Sequence, residues 1–212
     1  MLIFDFFAGT GSSTKAFQDA GHTVITFELD KQFEVTETVS ILDLVSGDLL
    51  SRYGRPDFIW ASPPCTAFSV ASIGHHWLQG GANPIPKTPE ASYNQELVRY
   101  TIQLIEELKP TKGWLIENPR GMLRKLPVVA GLPRHTITYC QYGEERMKPT
   151  DLWGIVPGWK PRLACKNGMT CHVAAPRGSV TGTQGIKGAR DRSMIPYELS
   201  QELLKVMEAN ND

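Results

Sequence analysis

The sequence predicts an α/β fold, a doubly wound and mostly parallel sheet with helices on both faces. Two observations carry this expectation. Apolar strand-like runs alternate with helical spacings through the first half of the 212-residue chain, which is the pattern of repeated βα units. Three of those runs also end in chemistry. Ile3-Phe4-Asp5-Phe6-Phe7 runs into Ala8-Gly9-Thr10-Gly11, Ile59-Trp60-Ala61 into Ser62-Pro63-Pro64-Cys65, and Trp114-Leu115-Ile116 into Glu117-Asn118-Pro119. Ligands of open parallel sheets bind at the carboxyl ends of strands, so a glycine turn, a thiol and an acid at three such ends predict one shared site.

Each element follows from local signals. Residues 2–7 read as a strand, and residues 12–20 as a helix closed by Gly21, a usual residue just past a helix end. Thr23-Val24-Ile25-Thr26-Phe27-Glu28 alternates as the next strand, and a weak strand is expected at 44–46, ahead of Gly47-Asp48. Residues 56–62 form the strand before the thiol, where the double proline forces a turn. Leu97, Tyr100, Ile102, Ile105 and Leu108 set a helical period over 94–108, which Pro110 ends. A strand at 113–117 and a final pair at 134–140 and 151–156 complete the sheet. Pro196, Leu199, Leu203, Leu204 and Met207 predict an amphipathic helix over 196–208. Two stretches break the alternation: a loop at 66–93 containing His75, His76 and Trp77, and a Gly/Pro/basic segment at 157–194. Loops this long are usually functional; the two histidines are expected as loop residues near a bound polyanion.

Composition fits one soluble domain. Hydrophobic residues make up 41% and charged residues 21%, and the length suffices for a sizeable core. No run approaches a membrane span, and the N-terminus enters a strand with no secretory features, which predicts a cytoplasmic protein without membrane contact. Formal net charge is zero, yet residues 145–192 hold nine Lys/Arg against three acids, an excess of six positive charges. A basic end on a neutral chain points to a face for a phosphate backbone; the plainer alternative is a solvated loop.

The glycine turn after the first strand lets backbone approach a ligand, and an acid ending the second strand can accept from ribose hydroxyls. The turn lacks the third glycine of a pyrophosphate fingerprint, which favours a nucleoside cofactor without one. A structural turn and a helix-capping acid would look the same.

Taken in order, Asp5-Phe6-Phe7-Ala8-Gly9-Thr10-Gly11, Phe27-Glu28-Leu29-Asp30, Gly47-Asp48, Ser62-Pro63-Pro64-Cys65 and Ile116-Glu117-Asn118-Pro119 resemble the motifs of the S-adenosylmethionine-dependent cytosine-C5 DNA methyltransferases across residues 1–120. In size and divergent second half the chain looks most like the small phage- or prophage-encoded members, in a bacterial or phage-infected cell. The resemblance implies a Rossmann-like class I methyltransferase fold, S-adenosylmethionine as cofactor and double-stranded DNA as partner. Phe7, Gly9, Gly11 and Pro63 would line the cofactor pocket, Glu28 would hold the ribose and Asp48 would meet the adenine. Cys65 would be the nucleophile and Glu117 would bind the target cytosine. Those residue types suit the chemistry: a thiolate adds to C6 and leaves again near neutral pH, and a tuned carboxylic acid assists at N3.

The later motifs depart from the family pattern. The family's Gln-x-Arg-x-Arg element is replaced by Gln141-Tyr142-Gly143-Glu144-Glu145-Arg146-Met147-Lys148, which leaves the base-contact role to Lys148 or Arg146. The organisation expected is a catalytic core at 1–154, a short basic recognition segment at 155–192, and a C-terminal helix at 193–212 returning to the core. Cys165, Cys171 and His172 lie in Cys-x5-Cys-His with Cys140 upstream; in a cytoplasmic protein such a cluster favours structural zinc over disulfides, against the alternative of unconnected thiols. An RNA cytosine methyltransferase, an inactive nucleic-acid-binding relative and an enzyme of free nucleotides are the competing readings. The oligomeric state, the recognition sequence and any restriction partner are open at this level.

Overall fold

The computed structural model describes residues 1–78, 83–173 and 188–209. In chain order the elements are β1 (Leu2–Phe6), α1 (Lys15–Asp19), β2 (Thr23–Glu28), β3 (Glu37–Thr38), α2 (Ser46–Tyr53), β4 (Phe58–Ala61), α3 (Ile73–His76), β5 (Trp77–Leu78), β6 (Ile85–Pro86), α4 (Pro89–Leu108), β7 (Gly113–Pro119), β8 (Arg134–Thr138), β9 (Pro149–Ile155), α5 (Ala189–Ser193) and α6 (Tyr197–Ala209). Among the described residues, seven strands form the main sheet in the order β3-β2-β1-β4-β7-β9-β8. The first five are parallel, and β9 runs antiparallel to both β7 and β8. The doubly wound sheet expected from the alternation is thus present.

Strand alternation assigns the two faces. Phe4 and Phe6 of β1, Ile59 and Ala61 of β4 and Ile116 of β7 are buried with α4 residues such as Leu97, Val98 and Leu104. Ile3, Phe58, Trp60 and Leu115 are buried on the opposite side with Phe17 of α1 and Leu199 and Leu203 of α6. A sheet covered on both faces requires apolar residues at consecutive positions, which is why β4 reads Phe-Ile-Trp-Ala. No helix among the described residues is long and apolar enough to cross a membrane.

Several boundaries differ from expectation. Helix α4 starts at Pro89, ahead of the apolar period, because Thr88 caps it, its Oγ1 accepting from Ala91 N at 3.2 Å. The weak strand expected at 44–46 is absent. The strand is β3 at Glu37–Thr38, and 44–46 lead into α2, where Gly47 and Asp48 lie inside the first turn. The 66–93 loop contains α3 and the β5–β6 hairpin, and His76 is buried with Nδ1 2.8 Å from Thr88 Oγ1, so it serves the α4 cap and not a polyanion. The segment after β9 joins the core at its start: Val156 and Trp159 are buried, and Trp159 Nε1 donates to Glu202 Oε1 of α6 at 2.9 Å.

Helix α1 is shorter than expected because Asp5 organises the preceding residues as a turn. Its Oδ2 accepts from Ser13 Oγ at 2.6 Å and Thr14 Oγ1 at 2.8 Å. The C-terminal segment returns here: Ile195 N donates to Ser12 Oγ at 2.9 Å and Ala16 N to Ser200 Oγ at 3.2 Å. Asp5 is wholly buried and its Oδ1 has no partner. Burial, reinforced by Glu28, pushes its carboxyl up to about 6 against the pull of the two hydroxyls.

Two outcomes follow for stability. A raised carboxyl pKa means that the folded state binds the proton more tightly than the unfolded chain, so this contribution is full below about pH 4 and is lost as pH rises through about 6. Asp5→Asn keeps an acceptor for both hydroxyls without the charge. Relative to wild type it should therefore gain on the order of 3 kcal/mol between pH 4 and pH 7, read from urea unfolding across that range; parallel stability curves would refute the assignment. Gly121, just past β7, lies against the loop that follows Cys65, and an added Cβ would stand 2.1 Å from the Phe68 carbonyl oxygen. Gly121→Ala should cost at least ~1–3 kcal/mol by forcing backbone apart, seen as a lower urea midpoint at unchanged slope.

Candidate active site

The carboxyl edge of the sheet gathers the residues singled out in the sequence. Cys65 follows β4 across Pro63-Pro64, and its carbonyl accepts from Phe68 N and Ser69 N, both at 3.0 Å. That turn is pinned from two sides. Asn118 Nδ2, buried at the end of β7, donates to the Pro63 carbonyl at 2.9 Å. Trp77 Nε1 donates to the Ala67 carbonyl at 2.7 Å while its ring stacks on Phe68.

Glu117, one residue earlier on β7, is buried. Its Oε1 accepts from Tyr139 Oη at 2.8 Å and lies 3.9 Å from Lys148 Nζ. Lys148 also sits over the Tyr139 ring, 4.5 Å from its centre, and donates to the Arg192 carbonyl at 3.1 Å. Burial pushes the Glu117 carboxyl above its ordinary range, opposed by Lys148 and the Tyr139 hydroxyl. The Cys65 thiol is pushed up by burial and by the Glu117 charge, while Lys148 and Arg192 pull it down. Thiol, acid and base therefore feel one another. Of the basic pair left open by the sequence, Lys148 is the one at the acid.

Beside this cluster, at the ends of β1 and β2, lies a cavity of about 340 Å³, within the usual range for small-molecule sites. Its walls include Phe7, Phe27, Ile41, Pro64, Tyr93 and Leu97, with Glu28, Asp30 and Ser40 as polar groups. Phe7 takes a left-handed backbone (φ 58°), followed by Gly9 at 49° and Gly11 at 70°. A phenylalanine held there is strained, a condition that concentrates at functional sites. The Glu28 carboxylate accepts from Gly9 N at 3.1 Å and from Leu29 N and Asp30 N at 2.7 and 3.0 Å, which fixes it at the cavity rim.

Asp48, Pro63 and the two glycines, expected at the pocket, lie off this cavity's wall. Asp48 is exposed in the first turn of α2 and off the cavity wall; the chain leaving β3 lays Ser40 and Ile41 there instead. Pro63 is turned inward and buried, and Pro64 forms the wall. Gly9 and Gly11 shape the turn without lining the cavity. Tyr139 and Arg192 were missed. Tyr139 ends an apolar run and looks like any core aromatic in sequence, and Arg192 was one of nine basic residues.

On the far side of the β8–β9 pair, Cys140, Cys165, Cys171 and His172 meet, with ligating atoms all within 4.8 Å of one another. Cys140 Sγ is 3.1 Å from Cys165 Sγ and 3.8 Å from Cys171 Sγ; His172 Nδ1 is 3.6 and 3.5 Å from Cys165 and Cys171 Sγ. These are free thiols, too far apart for disulfides at ~2.05 Å. Arg162, counted in the basic segment, is committed internally: it contacts Glu198 at 2.7 Å and Glu202 at 2.8 Å and covers the Tyr142 ring. Positions 177 and 187 of that segment lie outside the described residues.

Comparison with known proteins agrees with this arrangement. The curated "Probable DNA (cytosine-5)-methyltransferase" of Frog virus 3 (isolate Goorha) is 29% identical over 224 residues, spanning 96% of this chain and 99% of that protein. Two solved structures share the fold: the Entamoeba histolytica methyltransferase EhMeth (TM-score 0.53, 12% identity, 77% of this chain and 56% of that one) and an E. coli protein assigned as a DNA modification methyltransferase encoded within a prophage (TM-score 0.51, 16% identity, 74% and 46%). The chain spans about half the length of these two structures. The family description for C-5 cytosine-specific DNA methylases matches residues 1–127, from the glycine turn through the thiol loop to the strand carrying Glu117, and the chain belongs to that family.

Proposed function

We propose that this protein methylates C5 of cytosine in double-stranded DNA by way of a covalent bond between Cys65 and C6 of the base. The observation that carries the reading is the meeting of Cys65, Glu117 and Lys148 at one sheet edge, next to the Glu28 cavity. The cavity suits the S-adenosylmethionine that the family uses. A carboxylate fixed by three backbone N–H groups faces apolar and aromatic walls, a match to ribose hydroxyls beside a purine. Glu28 would hold the ribose, with Phe7, Ser40 and Ile41 around the nucleoside. When bound, the cofactor supplies the electrophilic methyl group.

The chain's own residues do the rest. Cys65 Sγ, as thiolate, forms a bond to C6 and pushes electrons towards C5. Glu117, whose burial favours the protonated form, gives N3 the proton that this addition needs. Lys148 and Arg192 favour the thiolate by their charge. Once C5 has taken the methyl group, loss of the C5 proton to a base expels the thiolate, and N3 returns its proton to Glu117, which restores the ring. The cytosine must leave the duplex to reach Cys65. Residues 155–192 would contact the DNA backbone, which gives affinity without sequence information.

The Cys140, Cys165, Cys171 and His172 cluster suits structural zinc. Bonds of ~2.3 Å to sulfur and ~2.0–2.1 Å to nitrogen give a tetrahedron with edges of about 3.8 Å between sulfurs and about 3.6 Å from sulfur to nitrogen. Three of the four separations given above lie within 0.1 Å of those values.

DNA carrying 5-fluorocytosine should trap wild-type protein in a denaturation-resistant adduct, and Cys65→Ser should form none. Glu117→Gln should lose about 10²- to 10⁴-fold in turnover with cofactor affinity retained, whereas Glu28→Ala should lose cofactor binding. Trapping by Cys65→Ser would refute the covalent assignment; methylation of RNA and not of matched DNA would refute the substrate. Elemental analysis should find about one zinc per chain, and Cys171→Ala should lose it; metal-free wild type would refute the zinc site.

A further inference from the structure

The metal cluster and the acid are joined by one short turn. After β8 the chain makes a single 3-10 turn over Tyr139–Tyr142. Its first residue, Tyr139, is 2% exposed and donates to Glu117 Oε1 at 2.8 Å. Its second residue, Cys140, supplies a sulfur to the cluster.

The strand ladder ends before this turn, at the pair Thr138–Pro149. The turn is fixed from outside by core packing of Tyr139 and Tyr142, by Tyr139 N donating to the Lys148 carbonyl at 3.3 Å, and by the 162–173 segment. Arg162 N donates to Tyr142 Oη at 2.9 Å, Cys165 N to Thr138 Oγ1 at 2.9 Å, and Val173 N to the Glu145 carbonyl at 2.8 Å. That segment has no regular secondary structure and little apolar burial of its own: Leu163, Met169 and Val173 are exposed. A segment without a core needs another source of order, and a structural metal supplies folding energy directly. Four ligands drawn from three places in the chain close the segment onto Cys140.

We propose that Tyr139 is a positioning residue for Glu117 and that zinc bound by Cys140, Cys165, Cys171 and His172 holds Tyr139 in place, so that metal occupancy sets the catalytic competence of the acid. The inference rests on the methyl-transfer and zinc readings above. A hydroxyl at 2.8 Å fixes which way the buried carboxyl faces, and Lys148, stacked on the Tyr139 ring, shares the same support. Displacement of Cys140 moves the adjacent Tyr139, and both of the acid's partners shift with it.

The test compares wild type and Tyr139→Phe, each as isolated with zinc, after chelator treatment, and after zinc is returned. Tyr139→Phe should keep its zinc and its S-adenosylmethionine affinity while kcat falls about 10- to 100-fold, the range for loss of a hydrogen bond to a charged group, here the carboxylate that forms as Glu117 gives N3 its proton. Stripping zinc from wild type should lower kcat by a similar factor, leave cofactor affinity unchanged because that pocket lies across the sheet at β1 and β2, and be reversed by added zinc. Stripping Tyr139→Phe should have little further effect, since both changes act through one contact. Multiplying losses, or full kcat in stripped wild type, would overturn the proposal. So would loss of cofactor binding on stripping, because the metal would then be holding the fold at large. If wild type carries no metal, the zinc reading fails with it. If Cys65 forms no adduct in the fluorocytosine assay, the methyl-transfer reading fails, and the metal measurement separates the two.

Discussion

The hydrogen bond from Asn118 Nδ2 to the Pro63 carbonyl is the link on which the candidate site depends. It joins the ends of two neighbouring parallel strands, one leading to the thiol and the other carrying the acid. Prolines at both ends stop the β4–β7 ladder, and beyond it one backbone bond joins the two loops, Met122 N donating to the Phe68 carbonyl at 2.8 Å. A buried side-chain amide makes the join nearest the thiol and the acid. Asn118 is wholly buried, and losing its partner would leave a desolvated donor, which is costly. Gly121 completes the junction by letting the chain after β7 pass the Phe68 carbonyl, where a side chain has no room.

With thiol and acid so placed, the electrostatics of the cluster follow from burial. Dehydration favours the neutral form of both groups; the Glu117 charge pushes the thiol further up, and the Asp151 charge does the same to the acid. Lys148 and Arg192 act in the opposite sense on the thiol, as does Lys148 on the acid. Burial thus shifts both groups towards their neutral forms, with cations set beside them to oppose it. Both cations come from the chain's second half: Lys148 immediately precedes β9, and Arg192 lies in α5.

That second half is economical. Among the described residues no separate recognition domain is built on the sheet. Trp159 and Arg162 are spent on α6, and α6 in turn packs on α1 beside the glycine turn. Residues 163–173 have few apolar anchors: Leu163, Met169 and Val173 are exposed. The convergence of three thiols and an imidazole there fits the physical need of a segment too short to form its own core.

The sequence by itself determined the layer architecture, the strand ends and the identity of the groups at them. Periodicity, proline stops and glycine turns are local signals, and in a parallel sheet they fix which residues reach the carboxyl edge; Cys65, Glu117 and Glu28 were legible for that reason. The Cys/His cluster was legible as a set because thiols and imidazoles stand out by residue type. The tertiary structure decided what depends on approach between distant segments. Asp48 fell off the cavity because a two-residue β3 left too weak a local signal to place the third strand, and Ser40 and Ile41 took its position. Tyr139 was invisible because a buried aromatic whose hydroxyl is needed has the same local pattern as one whose hydroxyl is not. Lys148 could be separated from Arg146 only once β9 had paired with β7 and brought one of the two to Glu117. Pairing across non-consecutive strands is a property of the whole sheet, and no window of sequence contains it.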